Sequence, residues 1–384
     1  MEFGLSAAQK KLVAQMREFG ERTFTTERVA QWCKDGGLPD AVVMEFADLY
    51  FGAEGSVETA SFSNSVMTQA LVLEELSRCA GATLPFQNEL FNLQIMGGFA
   101  QRETFLRILA EYRQTGRLTF SMGVSEPHAG SDSMSMKTNT KTIGGVLRLN
   151  GQKTYVNNGE YAPSTLVAAI DLDAPEGKYP PLAFWLIPSN LPGISTFPID
   201  KMGQQMLPFA SMTFDNVELR PEYRLTGNDG GFKQLFHLLE FGRIFTCASS
   251  LGMAQAAMED AVSFARQRKA FGTPISQFQQ IEQMLTDMEV SLTNMRLMLY
   301  RAVWAVETNQ KDKRLAVSLC KRFIPAAATK VASDAMQILG GSGYTQSSRV
   351  SRIWEDCRGN QIAEGTDQIM VYISAPLIME KYEK

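Results

Sequence analysis

The first third of the chain has the hydrophobic spacing of amphipathic helices. Apolar residues recur every three or four positions in MTQALVLEELSRC (67–79) and TFLRILAEY (104–112), as they do along one face of a helix. The chain opens with Ser6-Ala7-Ala8-Gln9, a capping-box pattern that marks a helix start. We therefore predict an N-terminal α-helical domain over residues 1–116.

The pattern changes near residue 117. Short apolar or alternating runs follow, separated by Gly, Pro, Asn and Asp, which is typical of strands joined by turns. The runs cover residues 118–122, 146–149, 165–170, 182–187 and 211–214. They predict a middle β domain over residues 117–226, either barrel-like or a sandwich, with a loop at 228–231 before the next helix.

Helical spacing returns from Phe232, and one segment alternates steps of four and three. Its apolar positions are Ile281, Leu285, Met288, Leu292, Met295, Leu299, Ala302 and Val306. Such a seam predicts antiparallel packing in a helix bundle, with Ser276 as the N-cap. The next helix, 314–339, contains Pro325, where a kink is expected. We predict a C-terminal four-helix bundle over residues 227–384, and an α+β multidomain protein.

Composition narrows the classes of function. The 384 residues carry a formal charge of -4 without a polybasic tract, which favours small-molecule partners over nucleic acid or a membrane surface. Five widely spaced cysteines predict reduced thiols. Two histidines make a metal site or a histidine-activated nucleophile improbable, and no metal is expected. Without a long apolar run or a signal pattern, we expect a cytoplasmic protein with no membrane span.

One loop stands out chemically. GVSEPHAGSDSMS (123–135) leaves a predicted strand, and its small residues expose backbone amides that can cradle a pyrophosphate. A plain turn is the alternative from these residues alone. No GxGxxG follows a strand and no GxxxxGK[ST] occurs, which disfavours nicotinamide and P-loop sites.

Four further motifs accompany this loop in order. They are RKAFG (268–272), FQ (278–279), QILGGSGY (337–344) and EGT (364–366). Together with the loop they resemble the acyl-CoA dehydrogenase family over nearly the whole chain. The resemblance implies FAD as cofactor and an N-terminal helical, middle β and C-terminal bundle fold.

The resemblance assigns the catalytic base to Glu364. In the family this glutamate removes the α-proton of an acyl thioester while the β-hydride goes to flavin N5. Such a base needs a desolvated carboxylate with a raised pKa. From the residues alone, Glu364 is better explained as an acid at a helix N-terminus that Thr366 caps. Some members carry the base on an earlier helix, before an arginine, but here that pair is Gly242-Arg243 and glycine has no basic group.

The resemblance also implies the cofactor contacts. Those within one subunit are Met122, Val124, Ser125, Gly130, Ser131, Tyr155, Val156 and Asn157. Those to the adenosine half of the adjacent subunit's FAD are Arg268, Gln279, Gln337, Gly340 and Gly341; Phe271 and Phe278 are further cofactor candidates, with Thr366 and Gln368 near the base. A shared site implies an obligate homo-oligomer, a dimer or a dimer of dimers. Gly340-Gly341 also suits a simple helix C-cap.

The substrate candidates are Ser131, Arg243, Ala363 and Gly365. Arg243 matches the family's substrate-domain arginine, with an ion pair to Glu240 as the alternative. Ala363 stands where the family usually has Tyr, leaving room for a bulkier acyl group. The resemblance places the segment 83–93 at the distal acyl pocket, and its polar residues Gln87, Asn88, Glu89 and Asn92 indicate a short or polar acyl group.

The leading function is thus an FAD-dependent acyl-CoA dehydrogenase that exchanges electrons with an electron-transfer flavoprotein. The stretches 295–304 and 319–323 look most like the crotonobetainyl-CoA reductase branch, in which enoyl-CoA reduction can be the physiological direction. The alternatives are an acyl-CoA oxidase that uses O2 and a catalytically silent binding or assembly protein of the same fold.

Overall fold

The computed structural model describes residues 4–51, 65–99, 102–116, 120–175, 179–225 and 231–383. The predicted helices of the first third are confirmed. They are α1 (Ala7–Thr23), α2 (Thr26–Asp35), α3 (Asp40–Phe51), α4 (Val66–Ala80), α5 (Phe86–Phe99) and α6 (Arg102–Thr115). The capping box is present, because the Ser6 hydroxyl accepts from the Gln9 amide at 3.1 Å and Gln9 Oε1 accepts from the Ser6 amide at 3.0 Å.

The middle of the chain forms one mixed sheet. Its strands are β1 (Ser121–Gly123), β2 (Asn139–Ile143), β3 (Val146–Asn157), β4 (Ser164–Asp171), β5 (Leu182–Pro188), β6 (Ile194–Ile199), β7 (Phe209–Glu218) and β8 (Arg224–Leu225). They run in the order β6-β7-β3-β2-β4-β5-β8, and β1 pairs parallel with β4. Leu149 and Met212 from one half share a core with Val167 and Trp185 from the other, so the sheet curls around its own apolar interior.

The last third is helical, as predicted. Its elements are α7 (Gly231–Gln267), a hairpin of β9 (Lys269–Ala270) and β10 (Thr273–Pro274), α8 (Gln279–Glu307), α9 (Lys313–Leu339), α10 (Arg349–Ile362) and α11 (Asp367–Tyr382). The predicted seam is confirmed by the burial of its central residues, Met288 to Ala302. The helix α9 is continuous through Pro325 and ends at Gly340, whose φ is +61°.

The start of α8 differs from the prediction. Ser276 as the N-cap of α8 is wrong: it lies in a short 3-10 turn, Ile275–Gln277, and Phe278 occupies the cap position without a side-chain bond. The backbone turn delays the helix start, so the serine hydroxyl is too early in the chain. The domain boundaries at 116/117 and 226/227 and the predicted strand residues 118–119 fall at or within undescribed residues, 117–119 and 226–230, and stay predictions. Of the loop predicted over 228–231, residues 228–230 are also undescribed, and Gly231 begins α7 instead.

The helical parts share one core. Leu12 of α1 and Cys357 of α10 belong to the same buried apolar cluster. The helix α4 packs on α7, where a Cβ at Gly252 would lie 2.0 Å from the Glu74 carbonyl oxygen. Only glycine permits this approach. Within the described ranges, no helix combines the length and apolar character that a membrane crossing requires.

A buried carboxylate joins all three parts of the chain. Asp356 of α10 accepts through Oδ2 from the Thr83 amide at 2.7 Å and through Oδ1 from the Gln204 amide. The Gln204 side chain donates to Asn360 Oδ1 at 2.7 Å, and Asn360 donates to Ser250 Oγ at 3.0 Å. The N-terminal helices, the β domain and the C-terminal helices therefore meet at one hydrogen-bonded network.

Candidate active site

The residues 363–366 form a tight loop between α10 and α11, which we call the base loop. Glu364 has φ +56° and Gly365 φ +97°, and a non-glycine residue in the left-handed region is uncommon. Arg243 Nε donates to the Glu364 carbonyl at 3.0 Å, and Lys321 Nζ donates to the Gly365 carbonyl at 3.1 Å. Two cations from two helices thus hold two consecutive carbonyls of the loop.

The Glu364 carboxylate is turned into the protein, against α7. A Cβ placed at Gly242 would lie 2.5 Å from Glu364 Oε2, so the carboxylate occupies the space that a side chain at position 242 would need. Glu364 Oε2 is buried and has no hydrogen-bond partner in the described part of the chain. Burial raises the pKa of Glu364, and the charges of Arg243 and Lys321 oppose that rise. The group is a desolvated carboxylate with a free oxygen.

Arg243 hydrogen-bonds the base loop from α7, and no ion pair with Glu240 is found among the described residues. Its guanidinium is buried and hydrogen-bonds the loop, and burial lowers the pKa of Arg243 against the charges of Glu364 and Glu240. Glu240 instead lies 3.5 Å from His237 Nδ1 and 3.8 Å from Lys313 Nζ. The predicted contact of Arg243 with substrate stays a prediction.

Lys321 was missed by the sequence analysis. It is 0% exposed on α9 and shares the buried face of that helix with Val317, Ile324 and Ala328. The spacing of four, three and four was a usable signal, because a lysine on the apolar stripe of a helix is almost never buried without a partner.

The other base-loop candidates are placed as follows. Thr366 caps α11, since its Oγ1 accepts from the Ile369 amide at 3.3 Å. Ala363 and Gln368 are exposed, and Gly365 is half-buried beside Arg243, whose Nη2 lies 3.6 Å from where a Cβ would be. The helix-capping interpretation is therefore correct for Thr366, while Glu364 points away from solvent instead of serving as a solvated first-turn acid.

The second group of candidates lies on the loop after β1, the signature loop (residues 124–135). The Thr154 amide donates to the Ser125 carbonyl at 2.9 Å, and Glu126 and Ala129 exchange backbone hydrogen bonds at 3.0 and 3.1 Å. Lys153 Nζ donates to the Val124 carbonyl at 3.0 Å. This pinned turn leaves Gly130 and Ser131 exposed, with Met122, Val124 and Ser125 half-buried.

A buried ion pair anchors the signature loop. Lys153 Nζ lies 2.8 Å from Glu126 Oε1, and both side chains are almost fully buried. Glu126 also accepts from the backbone amides of Lys137 at 2.7 Å and Thr138 at 2.9 Å. Burial lowers the pKa of Lys153 to about 8 despite this partner. Burial alone would raise the pKa of Glu126, but the hydrogen bonds of Lys153, Thr138 and Lys137 bring it below its ordinary value.

The end of β3 adds three candidates with different environments. The register of β3 with β7 shifts between Lys153 and Val156, and Tyr155 at this bulge has φ +58° with its ring 62% exposed. Bulges of this kind re-aim side chains next to active sites. Val156 points into the sheet's core, which leaves only its backbone available to a ligand. Asn157 Oδ1 is buried without a partner among the described residues.

A third group lies around the β9–β10 hairpin and the end of α9. Phe271 is 98% exposed at φ +51°, with its ring centroid 6.3 Å from that of Phe278. Arg268, Gln279, Gln337, Gly340 and Gly341 are also exposed. Among the described residues, no hydrogen bond or ring contact joins this group to the signature loop or the base loop. One chain therefore brings the first two groups into ordered loops and leaves the third facing outward.

Comparison with known proteins gives a consistent result along the chain. The family descriptions acyl-CoA dehydrogenase N-terminal, middle and C-terminal domain match residues 6–113, 121–217 and 229–378. A probable acyl-CoA dehydrogenase of Escherichia coli strain K12, YdiO, is 34% identical over 387 residues, which covers 100% of both chains.

Solved structures agree. An acyl-CoA dehydrogenase from Slackia heliotrinireducens is 48% identical with a TM-score of 0.88, covering 100% of this chain and 99% of that one. The butyryl-CoA dehydrogenase of Megasphaera elsdenii is 26% identical with a TM-score of 0.87, covering 99% of this chain and 100% of that one.

Proposed function

The chain belongs to the acyl-CoA dehydrogenase family, and from that premise we propose that it dehydrogenates an acyl-CoA between Cα and Cβ, or reduces the enoyl-CoA, with Glu364 as the base. The observation that carries this role is the free, buried Oε2 of Glu364 against Gly242. An α-proton of a thioester is weakly acidic, so a desolvated carboxylate is the group that the reaction needs.

The surroundings of Glu364 suit both protonation states. Arg243 and Lys321 bind backbone carbonyls of the base loop, so their charges favour the carboxylate without occupying Oε2. Burial favours the neutral acid that forms once the proton has been taken. The two effects oppose each other, which keeps proton transfer to and from Oε2 reversible.

The second requirement is a flavin site. Bound FAD supplies the acceptor for the β-hydride. Asn157, whose buried Oδ1 lacks a partner, is a carboxamide with unmet hydrogen-bonding capacity that the polar edge of a flavin can satisfy. The backbone amides of the signature loop suit a pyrophosphate, and the exposed Tyr155 ring offers an apolar surface to a flavin. The residues present therefore fit FAD.

We propose that the acyl group is short or polar. Gln87 on α5 donates through Nε2 to Thr246 Oγ1 at 3.3 Å, and its Oε1 is buried without a partner in the described chain. Thr246 lies one turn of α7 beyond Gly242, on the side of the helix that the base contacts. A buried unpaired amide oxygen is costly, and a polar acyl group would satisfy it. The butyryl-CoA dehydrogenase of M. elsdenii is a structural relative named for a short acyl group.

The outward-facing third group supports an oligomeric enzyme. Phe271 is 98% exposed, and Arg268 immediately precedes the first strand of the same hairpin. A phenylalanine exposed to this degree is expected to be covered. We propose that a second copy of the chain brings its FAD there, in a dimer or a dimer of dimers, and that an electron-transfer flavoprotein exchanges electrons with the enzyme.

The test begins with the absorption spectrum of the purified protein. It should show bound flavin, and anaerobic addition of acyl-CoAs should bleach it, with short or polar acyl groups giving the highest kcat/KM. A protein that cannot be loaded with FAD would reject the proposal, and an optimum at C12 to C16 would reject the short or polar acyl group. Bleached enzyme that only O2 reoxidises would identify an oxidase, whereas a loaded but never bleached protein would be a silent relative.

The base is tested by Glu364→Gln. This variant should retain FAD and fail to bleach, because the amide cannot accept the α-proton. Glu355→Gln is the matched control: Glu355 is a carboxylate on α10 whose pKa is also raised by burial and by Asp356, but it has no place in the base loop. Unaltered bleaching by Glu364→Gln would remove Glu364 from the proposed role.

A further inference from the structure

We propose that Lys321 is a positioning residue for Glu364: it fixes the Gly365 carbonyl from inside the protein and holds a positive charge behind the base. The inference deepens the proposed function and rests on Glu364 being the base. Lys321 does not reach the substrate side, since its side chain is 0% exposed and its ammonium donates to a backbone oxygen at 3.1 Å.

The first support is the geometry of the base loop. Glu364 at φ +56° is followed by Gly365 at φ +97°, and strained residues persist only where the surroundings over-determine them. Arg243 holds the first carbonyl from α7 and Lys321 holds the second from α9. With both carbonyls held, the backbone of Glu364 is fixed on either side and its carboxylate is directed to Gly242.

The second support is the lack of a simpler reason for the buried charge. No described carboxylate lies within 4.0 Å of Lys321 in an ion pair. The groups that face it are Cys247 and Arg243 from α7, and Glu364 and Asp367 from the base loop and the start of α11.

Asp367, the other carboxylate near Lys321, makes its contacts through Oδ2, and its buried Oδ1 has no hydrogen-bond partner in the described chain. It accepts from Gln361 Nε2 at 2.6 Å and lies 3.6 Å from Arg322. Burial of Lys321 lowers its pKa, and the nearby Cys247, Asp367 and Glu364 oppose this. A buried ammonium without a counter-ion is unfavourable. Both the positive charge of Lys321 and its N–H donor act on the base loop.

Three variants separate the two effects. Lys321→Met removes the donor and the charge while keeping the volume, and Lys321→Gln removes the charge but keeps a donor. Ile324→Val is the matched control, since Ile324 is 0% exposed on the same face of α9 and lacks any polar group. All three are made in the full-length, FAD-loaded enzyme.

The first measurement is hydrogen exchange of the amides of residues 363–366, without substrate. Lys321→Met should accelerate exchange at Ala363, whose amide donates to the Gly359 carbonyl at 3.0 Å, roughly tenfold, because the loop opens more often once a carbonyl is released. Lys321→Gln should accelerate it less, and Ile324→Val not at all. This readout needs no turnover, so it tests the positioning role even if the proposed reaction fails.

The second measurement is the pH dependence of kcat/KM. The acid limb reports the free base, whose immediate charged neighbours are Arg243 and Lys321. Both Lys321→Met and Lys321→Gln remove one cation, which should raise the pKa of Glu364 and move the acid limb to higher pH. In Lys321→Met, kcat/KM at neutral pH should also be roughly tenfold lower or more. Ile324→Val should keep the wild-type profile.

The inference is overturned if exchange at 363–366 and the acid limb of Lys321→Met match those of wild type, even where its melting temperature falls. If Lys321→Met does not fold, Lys321→Gln decides alone: an unmoved acid limb rejects the proposal. Wild-type enzyme that no acyl-CoA bleaches would instead reject the proposed function, while the exchange result would still stand by itself.

Discussion

Gly242→Ala is the most direct test of how the base is placed. The added Cβ would lie 2.5 Å from Glu364 Oε2 and 2.7 Å from Cδ, against an ordinary contact that starts at 3.4 Å. The helix α7 cannot yield, because it is buried on most sides at this point. The carboxylate is the free end of a side chain, so it is the part that moves.

The size of the effect follows from that overlap. The carboxylate must retreat by about 0.9 Å to restore contact distance, and a misplacement of about 1 Å costs on the order of 100-fold in rate. The free energy of unfolding should rise or stay the same, since Ala is favoured over Gly in a helix interior by about 1 kcal/mol. We therefore expect kcat/KM to fall about 100-fold with an undiminished melting temperature and a normal flavin spectrum.

The assay is flavin bleaching by acyl-CoA in stopped flow, beside thermal unfolding. Repeating the substitution in Glu364→Ala provides the control: without the carboxylate the new methyl has nothing to displace, so the double variant should match Glu364→Ala in melting temperature and FAD retention. Wild-type bleaching by Gly242→Ala would refute the placement of Glu364 against α7. A fall in melting temperature or in FAD retention in both backgrounds would show that the methyl acts on something other than the base.

Three further outcomes are expected. Lys153→Met leaves the Glu126 carboxylate buried without its cation and should reduce the free energy of unfolding by about 3–5 kcal/mol, measured by denaturant titration, with loss of FAD retention as the loop loosens. Because the pKa of Glu126 is lowered in the folded state, Glu126 stabilises the protein fully above the ordinary glutamate pKa, and this stabilisation is lost as pH falls through the folded-state pKa. Lys153→Met should make the free energy of unfolding less dependent on pH in this acid range. An unchanged pH dependence would contradict the role of Lys153 as the partner of Glu126. Asp356→Ala leaves the buried amides of Thr83 and Gln204 without an acceptor and should lower the free energy of unfolding by about 3 kcal/mol or more. Thr366→Ala removes only a helix cap and should lower it by about 1 kcal/mol. Equal losses in the two variants would contradict the role of Asp356 in joining the three parts of the chain.

The sequence contains the fold in its local patterns, and the site only in part. The seam from Met288 to Ala302 could be predicted because each position faces the same side of one helix. Ser276 misled because a hydroxyl near a helix start is judged without knowing the backbone turn that precedes the helix. Glu364 came from family resemblance, and its inward direction depends on a positive φ that no local rule assigns to glutamate.

Other parts of the site depend on residues far apart in the chain. Asp356 meets Thr83 across 273 positions, and no periodicity reports such a contact. Lys321 is the intermediate case. Its place on an apolar helix face was visible in the sequence, but its partner, the carbonyl of Gly365, belongs to the backbone and has no sequence signature.

The hydrogen-bonded network at Asp356 affects the order in which the parts of the chain fold during synthesis. The core inside the curled sheet is drawn from residues 147–223, so that part can be complete as soon as it leaves the ribosome. The helix α4 must wait for α7 to pack against, and the Thr83 amide waits until Asp356 has been translated. The segments made first are therefore finished last. A chain truncated before α7 would present the apolar face of α4 to chaperones as unburied surface, and one truncated before α10 would leave the Thr83 amide without its acceptor.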